Sequence, residues 1–267
     1  MYKRRAINVT GDFDNVNSSM TNVTLAGSNP AIVAKGTGDE ADTAEVQALF
    51  DNQGAKAREE ISTNIASDMT LTADKIWILD GWTEVLAGAT LTIEPGTTVA
   101  GKEGTQAWLF VKPDAVLMAE GTEAAPIVFT SEAATLGETE GAAQWGGVTI
   151  VGNEDNDQTD TYEVDGITQA GTSGATSGSL KYVTINNTGF AVGQDKEING
   201  LSLFGVTANT TVENITVNDS GDDGVEVWGG SVNLKDIVID GAQDDSFDTD
   251  SGWTGEVDGL TITNGRK

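Results

Sequence analysis

The sequence contains no cysteine and no histidine, and it has few prolines (4) and few lysines and arginines (14). Without cysteine there is no disulfide framework and no thiolate ligand, so the fold is held by burial and hydrogen bonding. Without histidine the common zinc sets and the Ser/His/Asp arrangement drop out. The few basic residues face 42 acids, giving a net charge of −28 over 267 residues. A surface of that sign repels nucleic-acid phosphates and anionic lipid, and it attracts divalent cations. No run of 18 apolar residues exists, so no membrane-spanning helix is expected. The basic start, Met1 to Arg5, is not followed by the apolar stretch of a secretory signal.

What the chain does have is a repeating block. Residues 212–223 read VENITVNDSGDD and residues 234–245 read LKDIVIDGAQDD, a step of 234 − 212 = 22. A third copy, VDGLTITNG, starts at Val257 after 257 − 234 = 23 residues, and an earlier one, LKYVTINNTG, starts at Leu180. The block is β-branched, alternating, and bounded by Gly, Asn and Asp, which makes it a strand. Repeats of this length imply a stacked architecture. The unit is too short for a propeller blade and holds neither a second helix nor a Leu/Asn ladder. A coil in which each strand pairs with its counterpart one unit later remains, the parallel β-helix. Its expected inward columns are Val183, Ile215, Ile237, Leu260 and Ile185, Val217, Ile239, Ile262, with Thr184, Thr216, Val238 and Thr261 outward.

Further strands are expected at 76–79, 88–97, 115–122, 126–131 and 145–153, with Leu91 to Leu117 spanning 117 − 91 = 26 residues. Gly- and acid-rich segments at 132–144 and 154–178 read as loops. The stretch from Trp77 onward gives about seven coils and a rod of roughly 35 Å. Upstream, Asp39 can cap a short helix at 39–52, with Val46, Leu49 and Phe50 as its apolar stripe. The organisation is thus an extension at 1–60 and a β-helix at 61–267, expected to continue or to meet another subunit beyond its last coil.

The phrases LDG (79–81), GATLTIEPGT, AEGTEAAPIVFTS (119–131), WGGVTIVGN, EINGLSLFGV (197–206), DDGVEVWGGSVN (222–233) and DDSFDTDSGW (244–253) resemble secreted bacterial β-helix proteins. These are the surface lipoprotein-like proteins of marine bacteria, a family of unknown function. The resemblance covers residues 61–267. It implies an all-β, right-handed parallel β-helix and an extracellular or cell-surface location, and it implies no established activity.

Acidic clusters are the main candidate chemistry. Asp222-Asp223 and Asp244-Asp245 fall one coil apart in register and are expected to stack at one turn. Glu226 follows Asp223, and Asp248 and Asp250 share one face of the next strand. Stacked carboxylates repel unless a cation lies between them, and so dense a set of hard oxygens suits Ca²⁺. The competing reading is a solvated acidic ridge, or Asp side chains capping turn amides. The segment Glu154 to Asp157 lacks the frame of a calcium loop. QDDSFDTDSG (243–252) faintly resembles the paired-Asp strand of polygalacturonases, in which two carboxylates act as acid and base. That family's Gly-His-Gly and basic motif have no counterpart, and Lys235 is the main cation of these coils.

Trp145, Trp228 and Trp253 each stand beside a Gly, as sugar-stacking platforms or as fillers of coil corners. The sequence as a whole points to an extracellular structural or adhesive protein without catalytic activity. Self-association or other surface proteins are the expected partners. The alternatives are a polysaccharide-binding or -degrading β-helix of pectinase type and a viral fibre or tailspike component.

Overall fold

The computed structural model describes residues 56–138, 141–154, 174–193 and 196–265. The helix expected at 39–52 and nearly all of the 1–60 extension lie outside these residues, as does the middle of the 154–178 loop.

Each early lap of the chain lays down three strands. The first strip is β2 (Met69–Leu71), β5 (Thr90–Ile93) and β8 (Val116–Glu120). The second is β1 (Ala57–Ile61), β3 (Lys75–Leu79), β6 (Thr98–Gly101) and β9 (Ile127–Ser131). A third strip forms its own six-stranded sheet: β4 (Trp82–Val85), β7 (Trp108–Val111), β10 (Val148–Val151), β14 (Leu201–Phe204), β16 (Val225–Trp228) and β18 (Phe247–Asp250). From β11 (Gly178–Asn186) onward the first two strips fuse into single long strands, continued by β15 (Thr211–Asn218), β17 (Leu234–Asp240) and β19 (Val257–Thr263). All of these pairings are parallel, and one antiparallel hairpin, β12 (Ala191–Gly193) with β13 (Lys196–Glu197), sits in a side loop. The chain is therefore a parallel β-helix, and the first described strand begins at Ala57. Eight strands stacked along the second strip extend the rod to about 34 Å.

The fusion of strips has a local cause. In the early laps the corner is a turn of several residues, such as 94–97. In the later laps one residue in the left-handed region makes the corner: Tyr182 (φ 48°), Asn214 (φ 56°), Asp236 (φ 54°) and Gly259 (φ 82°). Asn, Asp and Gly tolerate that conformation, whereas Tyr182 adopts it at a cost of roughly 1 kcal/mol. The lap shortens accordingly. Thr90 pairs with Val116, a step of 116 − 90 = 26, while Val212 pairs with Leu234, a step of 22.

The expected columns form in register. Val183, Ile215, Ile237 and Leu260 stack in one, and Ile185, Val217, Ile239 and Ile262 in the next. Leu260 and Ile262, expected inward, are in register but 41% and 43% exposed, because no described lap packs beyond theirs. All but this last rung belong to a single hydrophobic core that runs from Ile61 to Ala242. Outside, a ladder of alternating charge accompanies it: Glu120, Lys181, Glu213, Lys235 and Asp258 occupy successive rungs. The outer face of the six-stranded sheet carries a second apolar cluster, Trp108, Phe110, Val151, Phe204 and Trp228, with Ile198 from the side loop. Phe204 and Trp228 stack there with centroids 4.1 Å apart.

Truncating a column residue should open a void that the neighbouring laps cannot close. Ile237→Ala is expected to cost about 3 kcal/mol in chemical denaturation, and Val238→Ala, on the outer face, under about 0.5 kcal/mol.

Candidate functional site

The acidic residues converge where the chain enters the six-stranded sheet. One outward ladder of that sheet runs Thr149, Ser202, Glu226, Asp248. Its upper rungs are neutral and closed off: Trp108 Nε1 donates to Thr149 Oγ1 at 2.9 Å. The lower rungs are carboxylates. Glu226 is only 4% exposed and accepts a hydrogen bond of 2.5 Å from Asn199 Nδ2, which also reaches Ser202 Oγ at 3.2 Å.

A second column lies one turn upstream, and each member caps the next lap. Asn199 Oδ1 accepts from the Asp223 backbone N–H at 3.1 Å, and Asp223 Oδ1 accepts from the Asp245 N–H at 2.8 Å. Part of the acidic cluster thus serves as turn-amide caps, the alternative role open from the sequence. The carboxylates nevertheless crowd together. Oxygens of Asp222, Asp223 and Asp244 lie within 4.8 Å of one another, as do those of Asp223, Glu226 and Asp248. Asp223 belongs to both trios. Asp245 and Asp250 join neither: Asp245 offers its N–H to the column, and Asp250 is exposed on the rung below Trp228.

Asp223 is 8% exposed, and its pKa is pushed up to about 7. Burial is the main cause, reinforced by the charges of Asp222, Asp248 and Asp245 and opposed by the hydrogen bond from Asp245. The cluster can do two things chemically. It can hold a cation among hard oxygen ligands, each trio supplying half of the six that Ca²⁺ needs at minimum. It can also hold one carboxyl with a raised pKa close to other carboxyls, the arrangement of an acid–base pair.

The tryptophans behave as corner fillers. Trp145 is fully buried, donates from Nε1 to Asn186 O at 2.7 Å and stacks on Phe129. It occupies the space left by Gly101, where an added Cβ would approach Trp145 Cβ to 2.5 Å. Trp228 is 4% exposed, so neither ring offers a face to a ligand in this conformation. Trp253 is half-buried and donates from Nε1 to Val232 O at 3.0 Å.

Two residues of this region escape a sequence reading. Asn199 aligns with Asp223 and Asp245 only once the laps are superposed, with Ile198-Asn199-Gly200 against Asp222-Asp223-Gly224. Trp82 is 51% exposed at the upper end of the sheet, resting on Trp108 at 4.7 Å. Its contact with Trp108 joins two laps of the coil.

The fold and this shelf define an acidic parallel β-helix protein. The model of the pectate-lyase-like beta helix domain family matches residues 63–267, and the chain belongs to that family. No curated protein and no solved structure matches the chain.

The raised pKa of Asp223 fixes the sign of a pH effect. The folded state holds this proton more tightly than the unfolded chain does. The stability it confers is complete below an ordinary carboxylate pKa of about 4 and is lost as the pH rises through about 7. With chelator present, the melting temperature should fall between pH 5 and pH 8. Asp223→Asn, which keeps the acceptor for the Asp245 N–H, should flatten that fall and stabilise the protein at pH 8 by roughly 1–3 kcal/mol.

Proposed function

We propose that the protein is a non-catalytic extracellular β-helix, a structural or adhesive rod whose acidic shelf takes up a divalent cation, Ca²⁺ by its ligand chemistry. The observation that carries this reading is the charge of the shelf. Lys235 is the only basic residue between 199 and 256, and it stands on the broad sheet between Glu213 and Asp258. Binding a uronate carboxylate or starting an elimination calls for a Lys or Arg at the shelf, and this stretch of chain supplies Lys235 alone, paired into the broad sheet. An all-carboxylate surface repels polyuronates and attracts divalent ions. The extracellular setting rests on the resemblance of residues 61–267 to secreted β-helix proteins and on the acidic composition. Other surface proteins, or further copies of the chain, are the partners such a rod would meet.

A second reading rests on one specific observation. Asp223 is partly protonated at neutral pH while an Asp248 oxygen lies within 4.8 Å, a separation nearer that of the carboxyl pair of retaining glycoside hydrolases than of inverting ones. Incubation with pectin, alginate and neutral glycans separates the two. The scaffold reading expects no reducing ends and no unsaturated product, and product that disappears in Asp223→Asn would replace it with the hydrolase reading.

The cation is tested separately. Calcium at about a hundred times its dissociation constant should stabilise the protein by roughly 2.7 kcal/mol relative to chelator. Glu226→Gln should abolish most of that gain. Equal melting temperatures with calcium and with chelator would remove the ion from the reading.

A further inference from the structure

A groove of about 350 Å³ runs along the outside of the broad sheet, on a different face from the acidic shelf. Its floor is the outward ladder Thr184, Thr216, Val238 and Thr261, one residue per lap. Its wall is the corner column Tyr182, Asn214 and Asp236, which the left-handed backbone turns out of the strand line. Glu123 stands at one end. Four rungs at the strand spacing make the floor about 14 Å long.

The polar groups here are uncommitted. Among the described residues, the side chains of Glu123, Tyr182, Thr184, Asn214, Thr216 and Asp236 have no hydrogen-bond or ion-pair partner. The acidic shelf differs in this respect, because Asn199 and Asp223 are engaged with its own backbone and side chains. Hydroxyl, amide, phenol and carboxylate groups lining one concavity, on a floor fixed by hydrogen-bonded laps, are the equipment of a preformed ligand site.

The lining also selects the ligand. It contains two carboxylates and no cation, so a uronate, sulfate or phosphate is repelled. Val238, 37% exposed, is the one large apolar side chain open on the floor, too little for a protein interface. A hydroxyl-rich uncharged chain fits on both counts. Its polar edges and apolar ring faces match a floor of three Thr hydroxyls and methyls with one Val, with the Tyr182 ring alongside. The rungs repeat along the axis, so one sugar after another meets similar groups. We propose that this groove binds a neutral polysaccharide. The proposal extends the adhesive role and rests on that reading for its non-catalytic outcome.

The test is equilibrium binding by the full chain, by calorimetry or NMR titration, so its failure is separable from that of the turnover assay. The probes are short glucan, mannan and xylan oligosaccharides, with an oligogalacturonate as the charged comparison. Saturable binding of at least one neutral probe is expected, with a dissociation constant on the order of 0.1–1 mM, and none of the galacturonate. Thr216→Trp, which fills the floor, should weaken binding by at least about tenfold. Asn214→Gly removes the amide but keeps the left-handed corner, and should weaken it about threefold to tenfold. Circular dichroism and melting confirm that both variants keep the fold. No binding of any neutral probe at about ten times the expected constant, unchanged binding in both folded variants, or preference for the galacturonate would each overturn the assignment.

Discussion

The structure depends on one interaction repeated lap after lap: each strand donates and accepts hydrogen bonds with the strand one lap later, in parallel and in register. This pairing satisfies the backbone of both sheets and brings like side chains into vertical contact. The aliphatic columns are a consequence of the register, since a residue that faces inward in one lap does so in the next. A slip of one residue would turn Ile215 and Val217 outward and bring Thr216 in. Burial of the columns is what makes the register unique, and the register is what makes the burial possible.

The corner residues show how the same constraint shapes the surface. A left-handed residue in each of four laps replaces the turn that separates two strips earlier in the chain. The bend keeps the inner columns continuous while lifting Tyr182, Asn214 and Asp236 out to form the wall of a groove. At the opposite corner the chain instead spends side chains on its own backbone, with Asn199 and Asp223 each capping the lap below. The crowding of carboxylates there follows from that repeated use of one turn position. Burial then holds the one shared by both trios, Asp223, partly protonated at neutral pH.

Much of this architecture was legible in the chain. The 22-residue step, the alternation within VENITVN and LKDIVID, and the Asn/Asp/Gly boundaries give the strands, their partners and their inward faces without coordinates. The stacking of Asp222-Asp223 over Asp244-Asp245 follows from the same step. Other features depend on contacts between laps of unequal length. The register of β14 against β16 places Asn199 over Asp223, although a side loop changes the spacing there. The outer aromatic cluster was hidden because Phe204 and Trp228 follow the same alternation as solvent-facing residues. A Trp beside Gly was ambiguous between a platform and a filler, and Gly101, far from Trp145 in sequence, decides for the filler. The uncommitted polar groove was likewise invisible, because its residues read as ordinary outward strand positions.

The charged ladder on the broad sheet has a consequence for how the coil assembles. Successive laps are similar in their inward residues, so the aliphatic columns alone discriminate weakly between one neighbour and the next. Skipping a lap would set Lys181 against Lys235, or Glu213 against Asp258, whereas the correct neighbour always brings opposite signs together. Each such contact is worth well under about 1 kcal/mol at an exposed site, too little to hold the rod together. Its consequence is for register: an omitted lap would oppose like signs where the native neighbour opposes unlike ones, so the pattern favours the native stacking by a small amount at each rung.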